Sequence, residues 1–300
     1  MITVPDSPLI KTLIKILRLL RWHKPAGRLI LMLPALWSVV AATIAQKTQL
    51  PWDLLLVVIL GSVATSAAGC VINDLWDRDI DPQVERTQNR PLADRSLSLQ
   101  VGIAVLGLAG VCAFLLASYL NWLSFGLCLA AVPVIAIYPA CKRFFPVPQL
   151  VLSIAWGFAV LIPWAAATGA LNLIAWVLWA TVLAWTMGFD TVYAMSDRVD
   201  DLRVGVKSSA LFFGDQVVRA IASFYALTWL GLITLGWQLN LSYIYYGDCL
   251  MVGLVWIWQC QKLAQPAMPS SNYQLMFGQN VWIGFIILAG MLPSVFAFYN

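Results

Sequence analysis

Nine uninterrupted apolar stretches, each bounded by charge, Pro or Asn, dominate this chain of 300 residues. They fall near 28–45, 53–72, 99–119, 121–140, 148–168, 172–189, 217–236, 242–261 and 280–298. Each approaches the roughly 20 residues that a helix needs to cross the hydrocarbon of a bilayer. Hydrophobic residues make up 61% and charged residues 11%, against about 25% charge in a soluble domain, so a soluble enzyme is excluded. A transmembrane β-barrel is excluded too, because its strands would alternate apolar and polar residues. The expected fold class is an all-α integral membrane protein with nine transmembrane helices, and residues 1–300 form a single polytopic domain.

Ahead of the first stretch, residues 1–27 read as an amphipathic segment lying at the membrane interface. Ser7 is placed to cap a helix with Pro8 in its first position. Lys11, Lys15, Arg18 and Trp22 share one face, while Leu9, Leu13, Ile16, Leu17 and Leu20 crowd the other, which suits a helix in the headgroup plane. The first long apolar run has no small-residue cleavage motif after it, so it reads as a membrane helix and not as a signal peptide. Threading nine helices back and forth puts every one of the 18 Lys and Arg residues except Lys47 on one side. The positive-inside rule makes that side cytoplasmic. The N-terminus is then cytoplasmic and Asn300 lies opposite, in a multi-pass protein expected in a bacterial inner (plasma) membrane.

The acids are the most informative residues. Of 14 Asp and Glu, six lie in one patch (Asp74, Asp77, Asp79, Asp81, Glu85, Asp94) and five in another (Asp190, Asp197, Asp200, Asp201, Asp215). Each patch directly follows a membrane stretch, and both open to the same side. Laid over one another, Asn73, Asp77 and Asp81 fall on Tyr193, Asp197 and Asp201, and Asp77-Arg78 coincides with Asp197-Arg198. Spacing of i, i+4, i+8 predicts three oxygen-bearing side chains on one helical face in each patch. A faint internal repeat follows, with approximate halves at 28–145 and 146–300.

Like charges on one face repel, and more so near a membrane, so two opposed acidic faces call for cations between them. Cys70, Cys112, Cys128, Cys141, Cys249 and Cys260 are scattered without a CxxC pair, and His23 is the one histidine. Any metal is therefore held by oxygen. Mg²⁺ commonly takes one or two carboxylates and fills its octahedron with water and substrate phosphate. The pair of patches thus suits one or two Mg²⁺ ions gripping a diphosphate. Cations just beyond the acids (Arg86, Arg90, Lys142, Arg143, Arg203, Lys207) would stabilise charge as the diphosphate leaves.

Asn73-Asp74-x-x-Asp77-x-x-x-Asp81, Asn89-Arg90-Pro91-Leu92 and Tyr138-Pro139-x-x-Lys142-Arg143 together resemble the UbiA superfamily of intramembrane aromatic prenyltransferases. Asp190-Thr-x-Tyr193-Ala-Met-x-Asp197-Arg-x-Asp-Asp201 with Gly205-x-Lys207-Ser208 looks most like its 4-hydroxybenzoate polyprenyltransferase branch. Arg21-x-x-Lys24-Pro25-x-Gly27 and Pro34-x-x-Trp37 extend the resemblance over nearly the whole chain, with His23 a departure where relatives often carry an acid. The resemblance implies a bundle around a central cavity with a cytoplasmic-side cap. It implies transfer of a polyprenyl group from polyprenyl diphosphate to the carbon ortho to the hydroxyl of 4-hydroxybenzoate, in ubiquinone- or plastoquinone-type biosynthesis. Asn73, Asp77, Asp81, Asp197 and Asp201 would hold Mg²⁺. Asp74, Asp190 and Tyr193 would stand at the reacting centre. Arg143 would take the benzoate carboxylate, while Arg78, Arg86, Arg90, Lys142 and Lys207 would surround the diphosphate. Trp76, Trp185 and Tyr193 could shield an allylic cation. The partners implied are the two substrates and the lipid bilayer, with no nucleic acid and no obligate protein partner. A different acceptor, such as homogentisate or a naphthoate, is the nearest alternative. A secondary transporter is the alternative of another class, disfavoured because transport sites sit near the midplane.

Overall fold

Helix boundaries in this chain are set by capping chemistry. Ser98, Asn121 and Asn172 each accept a hydrogen bond from the backbone N–H three residues on, satisfying donors that a helix start leaves open. Gly169 and Asn240 adopt left-handed backbone (φ 74° and 51°) and stop the helices before them. The computed structural model describes residues 7–265 and 268–297. Asn300 and the first six residues of the interfacial segment lie outside that range.

Twelve α-helices follow in order: α1 Pro8–Leu19, α2 Ala26–Gln46, α3 Trp52–Trp76, α4 Leu99–Ser118, α5 Trp122–Cys141, α6 Pro148–Thr168, α7 Leu173–Ala194, α8 Arg198–Val204, α9 Ser209–Phe213, α10 Val217–Leu239, α11 Tyr243–Leu263 and α12 Ser270–Phe296. A long helix stands at every one of the nine expected stretches. By length and composition, 8 of the described helices are apolar enough to cross a membrane. α11 falls short because its tyrosines, Asp248, Gln259, Gln261 and Lys262 dilute the apolar run, so nine crossings are not established by that measure. α1 buries Leu19 and leaves Leu9, Leu13 and Leu17 exposed, while Lys15 donates to the carbonyl of Ser96. Ser7 precedes α1 but its side chain caps nothing.

Each long helix packs on the next, and α12 returns to pack on α2. Contacts of α2 with α6 and of α7 with α12 cross this ring and divide it into two unequal lobes. The lobe of α7, α10, α11 and α12 is filled. Trp37 and Trp185 lie 4.9 Å apart, and Trp185 donates to Asn280 Oδ1 at 2.9 Å. Ring contacts continue from Trp185 through Phe189 and Phe277 to Tyr193. The other lobe, walled by α2 to α6, encloses a cavity of about 1610 Å³.

Helices α7 and α10 approach closely because each offers a glycine. A Cβ on Gly188 would stand 2.6 Å from the Tyr225 ring, and one on Gly231 would stand 2.1 Å from Thr181 Oγ1. Tyr225 is buried and stacked on Trp256 at 5.0 Å, so it has no room to yield. Gly188→Ala is expected to cost about 1–3 kcal/mol by overpacking, seen as a lowered thermal midpoint in detergent. An unchanged midpoint would show that the helices separate freely.

Candidate active site

Both acidic patches sit where a membrane helix stops. α3 ends at Trp76 with Asp77 as its C-cap, and Ile80 and Asp81 donate their N–H groups back to the Asp77 carbonyl at 2.8 Å. α7 ends at Ala194, a 3-10 turn carries Met195–Asp197, and α8 begins at Arg198. The expected continuous helical face is therefore corrected in both patches. The chain turns inside each cluster, which spares the carboxylates from stacking along one axis, where like charges repel.

The turns bring the two patches onto one cavity end. Asn73, Asp74, Asp77 and Asp81 from the first patch and Asp190, Tyr193, Asp197 and Asp201 from the second all line the same cavity. Asp74, Asp77 and Asp81 are almost fully buried. Buried carboxylates need partners, and each of these three has a cation. Arg21 Nη2 donates to Asp74 Oδ1 at 2.6 Å, and Arg90 Nη1 reaches both Asp74 Oδ1 (3.1 Å) and Asp81 Oδ2 (2.8 Å). Lys142 Nζ stands 2.6 Å from Asp77 Oδ2. In the second patch, Arg86 grips both oxygens of Asp197 through Nε and Nη2, and its Nη1 donates to the Tyr193 hydroxyl at 2.9 Å. Arg86 also lies over the Tyr193 ring, 4.9 Å from its centroid.

The loops are tied across the site. Glu85 N donates to Asp200 Oδ2, and Arg203 donates to the Gln83 carbonyl. Lys207 N donates to the Lys142 carbonyl at 2.7 Å and Lys207 Nζ to the Phe144 carbonyl. Burial pushes the Asp81 carboxyl above its ordinary range, and Asp77 and Asp74 add to this against the pull of Arg90. For Arg86, burial opposes the charge, yet Tyr193 and Asp197 hold the guanidinium above its ordinary value.

The expected cations divide. Arg86, Arg90, Lys142 and Lys207 line the cavity, and Arg78 and Arg143 do not. Arg143 is exposed, donates to the Trp76 carbonyl and lies over the Trp76 ring, so it closes the end of α3 outside the cavity lining. The aromatic expectation is corrected similarly. Trp185 is buried in the filled lobe and Trp76 is half-exposed with its indole N–H on Ala136, leaving Tyr193 as the one of the three that lines the cavity. Sequence reasoning gave no site role to Arg21, which clamps Asp74, or to Tyr138, whose hydroxyl donates to Asn73 Oδ1 at 3.3 Å. Both stood in quoted motifs, which was the available signal.

The donors around the cavity end are all oxygen, as Mg²⁺ requires. Asp77 Oδ1 is buried with no hydrogen-bond partner, and such an orphaned carboxylate oxygen asks for a cation. Among the described residues no three Asp, Glu, His or Cys side chains close on one point. A divalent ion there would take few protein carboxylates and complete its shell with water and phosphate. The donor set fits a divalent ion shared with a phosphorylated ligand.

Residues 31–298 match the UbiA prenyltransferase family. A 4-hydroxybenzoate solanesyltransferase of Synechocystis sp. is 57% identical over 288 residues, covering 96% of this chain and 97% of that protein. A 4-hydroxybenzoate octaprenyltransferase of Alcanivorax borkumensis is 39% identical over 95% of this chain and 97% of its own. Among solved structures, an apo UbiA homolog from Aeropyrum pernix K1 superposes with TM-score 0.77 at 25% identity, covering 89% of this chain and 98% of that one. A UbiA homolog from Archaeoglobus fulgidus bound to GPP and Mg²⁺ shares the fold, with TM-score 0.60 at 17% identity over 92% of this chain and 99% of its own.

Proposed function

Because the chain belongs to the UbiA prenyltransferase family, we propose how its cavity carries out the reaction for which its relatives are named. The protein is an integral multi-pass membrane enzyme. It transfers a polyprenyl group from polyprenyl diphosphate to the ring carbon ortho to the hydroxyl of 4-hydroxybenzoate, a step of quinone biosynthesis. The observation that carries the reaction's placement is that both acidic patches line one cavity together with cations and many apolar side chains of α2 to α6.

Asn73, Asp77 and Asp81 with Asp197 and Asp201 would hold Mg²⁺, a reading supported by the oxygen-only donors and the orphaned Asp77 Oδ1. Bound there, the metal supplies charge neutralisation to the diphosphate as its bond to carbon breaks. Lys142, Arg86 and Arg90 then turn from the carboxylates, and Lys207 from the Phe144 carbonyl, to the diphosphate oxygens and stabilise the charge that develops on them. The C–O bond of the donor breaks with its electron pair going to diphosphate. The ring carbon bonds to the allylic carbon, and the ring proton leaves as aromaticity returns. Tyr193, held by Arg86 and backed by Phe277, presents its ring to the developing allylic cation. Walls from α2 to α6 keep water from quenching that cation. We place the cluster end on the cytoplasmic side, supported by the sequence pattern that, threaded through nine crossings, puts all Lys and Arg except Lys47 on that side.

An acceptor screen with one labelled prenyl diphosphate tests this. Label is expected on 4-hydroxybenzoate with Mg²⁺ present, with transfer lost in EDTA and restored by added Mg²⁺. Transfer insensitive to EDTA would overturn the metal assignment, and label on homogentisate or a naphthoate instead would change the acceptor.

A further inference from the structure

One buried cation at the site has no role in the chemistry above. Arg28, near the start of α2, is 8% exposed and lines the cavity. Its Nη2 donates to the Leu20 carbonyl at 2.7 Å, but its Nε is buried without any acceptor. Among the described residues no carboxylate stands within ion-pair distance of it. Trp22 covers the guanidinium, 4.3 Å from its carbon to the ring centroid. Nearby Arg21 is matched by Asp74, and Arg18 and Lys24 are exposed, so Arg28 is the buried cation on this side of the cavity that lacks a counter-ion among the described residues.

A buried charge without a counter-ion is destabilising, and an anionic ligand is what would offset it. Arg18, Arg21 and Lys24 line the same region and reinforce the positive potential. Burial, with help from Lys24, Arg18 and Arg21, pushes the His23 imidazole below its ordinary value.

The donor diphosphate already has Lys142, Arg86, Arg90 and Lys207. The second substrate carries a carboxylate, and a planar guanidinium matches a carboxylate in a two-point grip. Position supports this pairing. Arg28 lines the same cavity as Cys70, which stands one helical turn (~5.4 Å) before Asp74 on α3. A benzene ring spans about one such turn between a carboxylate and the hydroxyl para to it. Resting on the transferase reading above, we infer that Arg28 receives the carboxylate of the aromatic acceptor and turns its hydroxyl end toward the acidic cluster. Arg28 takes the role that the sequence assigned to Arg143.

The test uses the full chain in lipid with one labelled prenyl diphosphate, comparing 4-hydroxybenzoate with 4-hydroxybenzamide. In Arg28→Gln, kcat/KM for the acid is expected to fall ~10–100-fold, the loss of a charged hydrogen-bonded contact. The change should lie in the acceptor KM, with the donor KM unchanged, and the preference for acid over amide should collapse by the same factor. Arg28→Lys keeps the charge without the fork and should retain part of the preference, which guards against a folding defect in the glutamine variant. Equal losses for acid and amide would overturn the assignment, as would a rise in donor KM, which would make Arg28 a diphosphate ligand. Direct binding of 4-hydroxybenzoate keeps the two readings apart. Binding weakened in Arg28→Gln, with no prenyl transfer even in the parent protein, would sink the transferase reading and keep the carboxylate site. Transfer in the parent with binding unaltered in the variant would sink the carboxylate site alone.

Discussion

Asp77→Ala and Asp197→Ala are each expected to lower prenyl transfer by about 10³-fold or more, at saturating Mg²⁺, in a protein that still inserts and folds. The reasoning is electrostatic. Each carboxylate is paired with a cation of the site, and both line the same cavity. Loss of one removes a metal-holding oxygen and also frees a cation, Lys142 in one case and Arg86 in the other. Removing one preorganised charge-stabilising group from a reacting centre commonly costs 10²–10³ in rate, and a metal ligand adds to that. The assay is transfer of labelled prenyl groups to 4-hydroxybenzoate, with far-UV circular dichroism as the control for folding. A rate near that of the parent protein in either variant would refute the metal assignment.

Arg90→Ala is expected to act strongly on stability. Its Nη1 holds Asp74 and Asp81 together. Asp74 keeps Arg21, but the Asp81 side chain, 5% exposed, has among the described residues no ion-pair partner besides Arg90. Breaking a buried pair from one side typically costs about 3–5 kcal/mol, so the unfolding midpoint in detergent should drop by several degrees. Adding Asp81→Asn to the variant removes the stranded charge and should recover much of the loss. A variant that melts with the parent would show that Asp81 finds solvent or another cation.

The long helices were legible because the bilayer leaves little choice: a run of about 20 apolar residues has to satisfy its backbone internally. Ends were less legible wherever polar residues continue a helix. α12 begins at Ser270 and not near 280 because Ser271, Asn272, Gln274 and Gln279 interrupt the apolar pattern without interrupting the helix. That early start is what places Gln274, Phe277 and Gly278 against the cavity. The acidic patches were legible by composition, but their break from helix to turn was not, since i, i+4 spacing fits a helix and a capped turn alike. Lys142 and Arg143 show the limit most plainly. The two cations are adjacent at the end of α5, and only the rotation of the last turn decides that one reaches Asp77 and the other Trp76. Arg28 was hidden for a related reason: topology already accounted for a cation there, and its lack of a counter-ion exists only in three dimensions.

The pairing of Lys142 with Asp77 and of Arg86 with Asp197 has a thermodynamic consequence. An ion that takes over either carboxylate strands an ammonium or a guanidinium, and a diphosphate that attracts those cations strands a carboxylate. Each newcomer repairs the deficit left by the other, so their affinities rise together, and by reciprocity each strengthens the other by the same factor. On the metal assignment proposed above, ion and donor are therefore expected to occupy the enzyme as a cooperative unit.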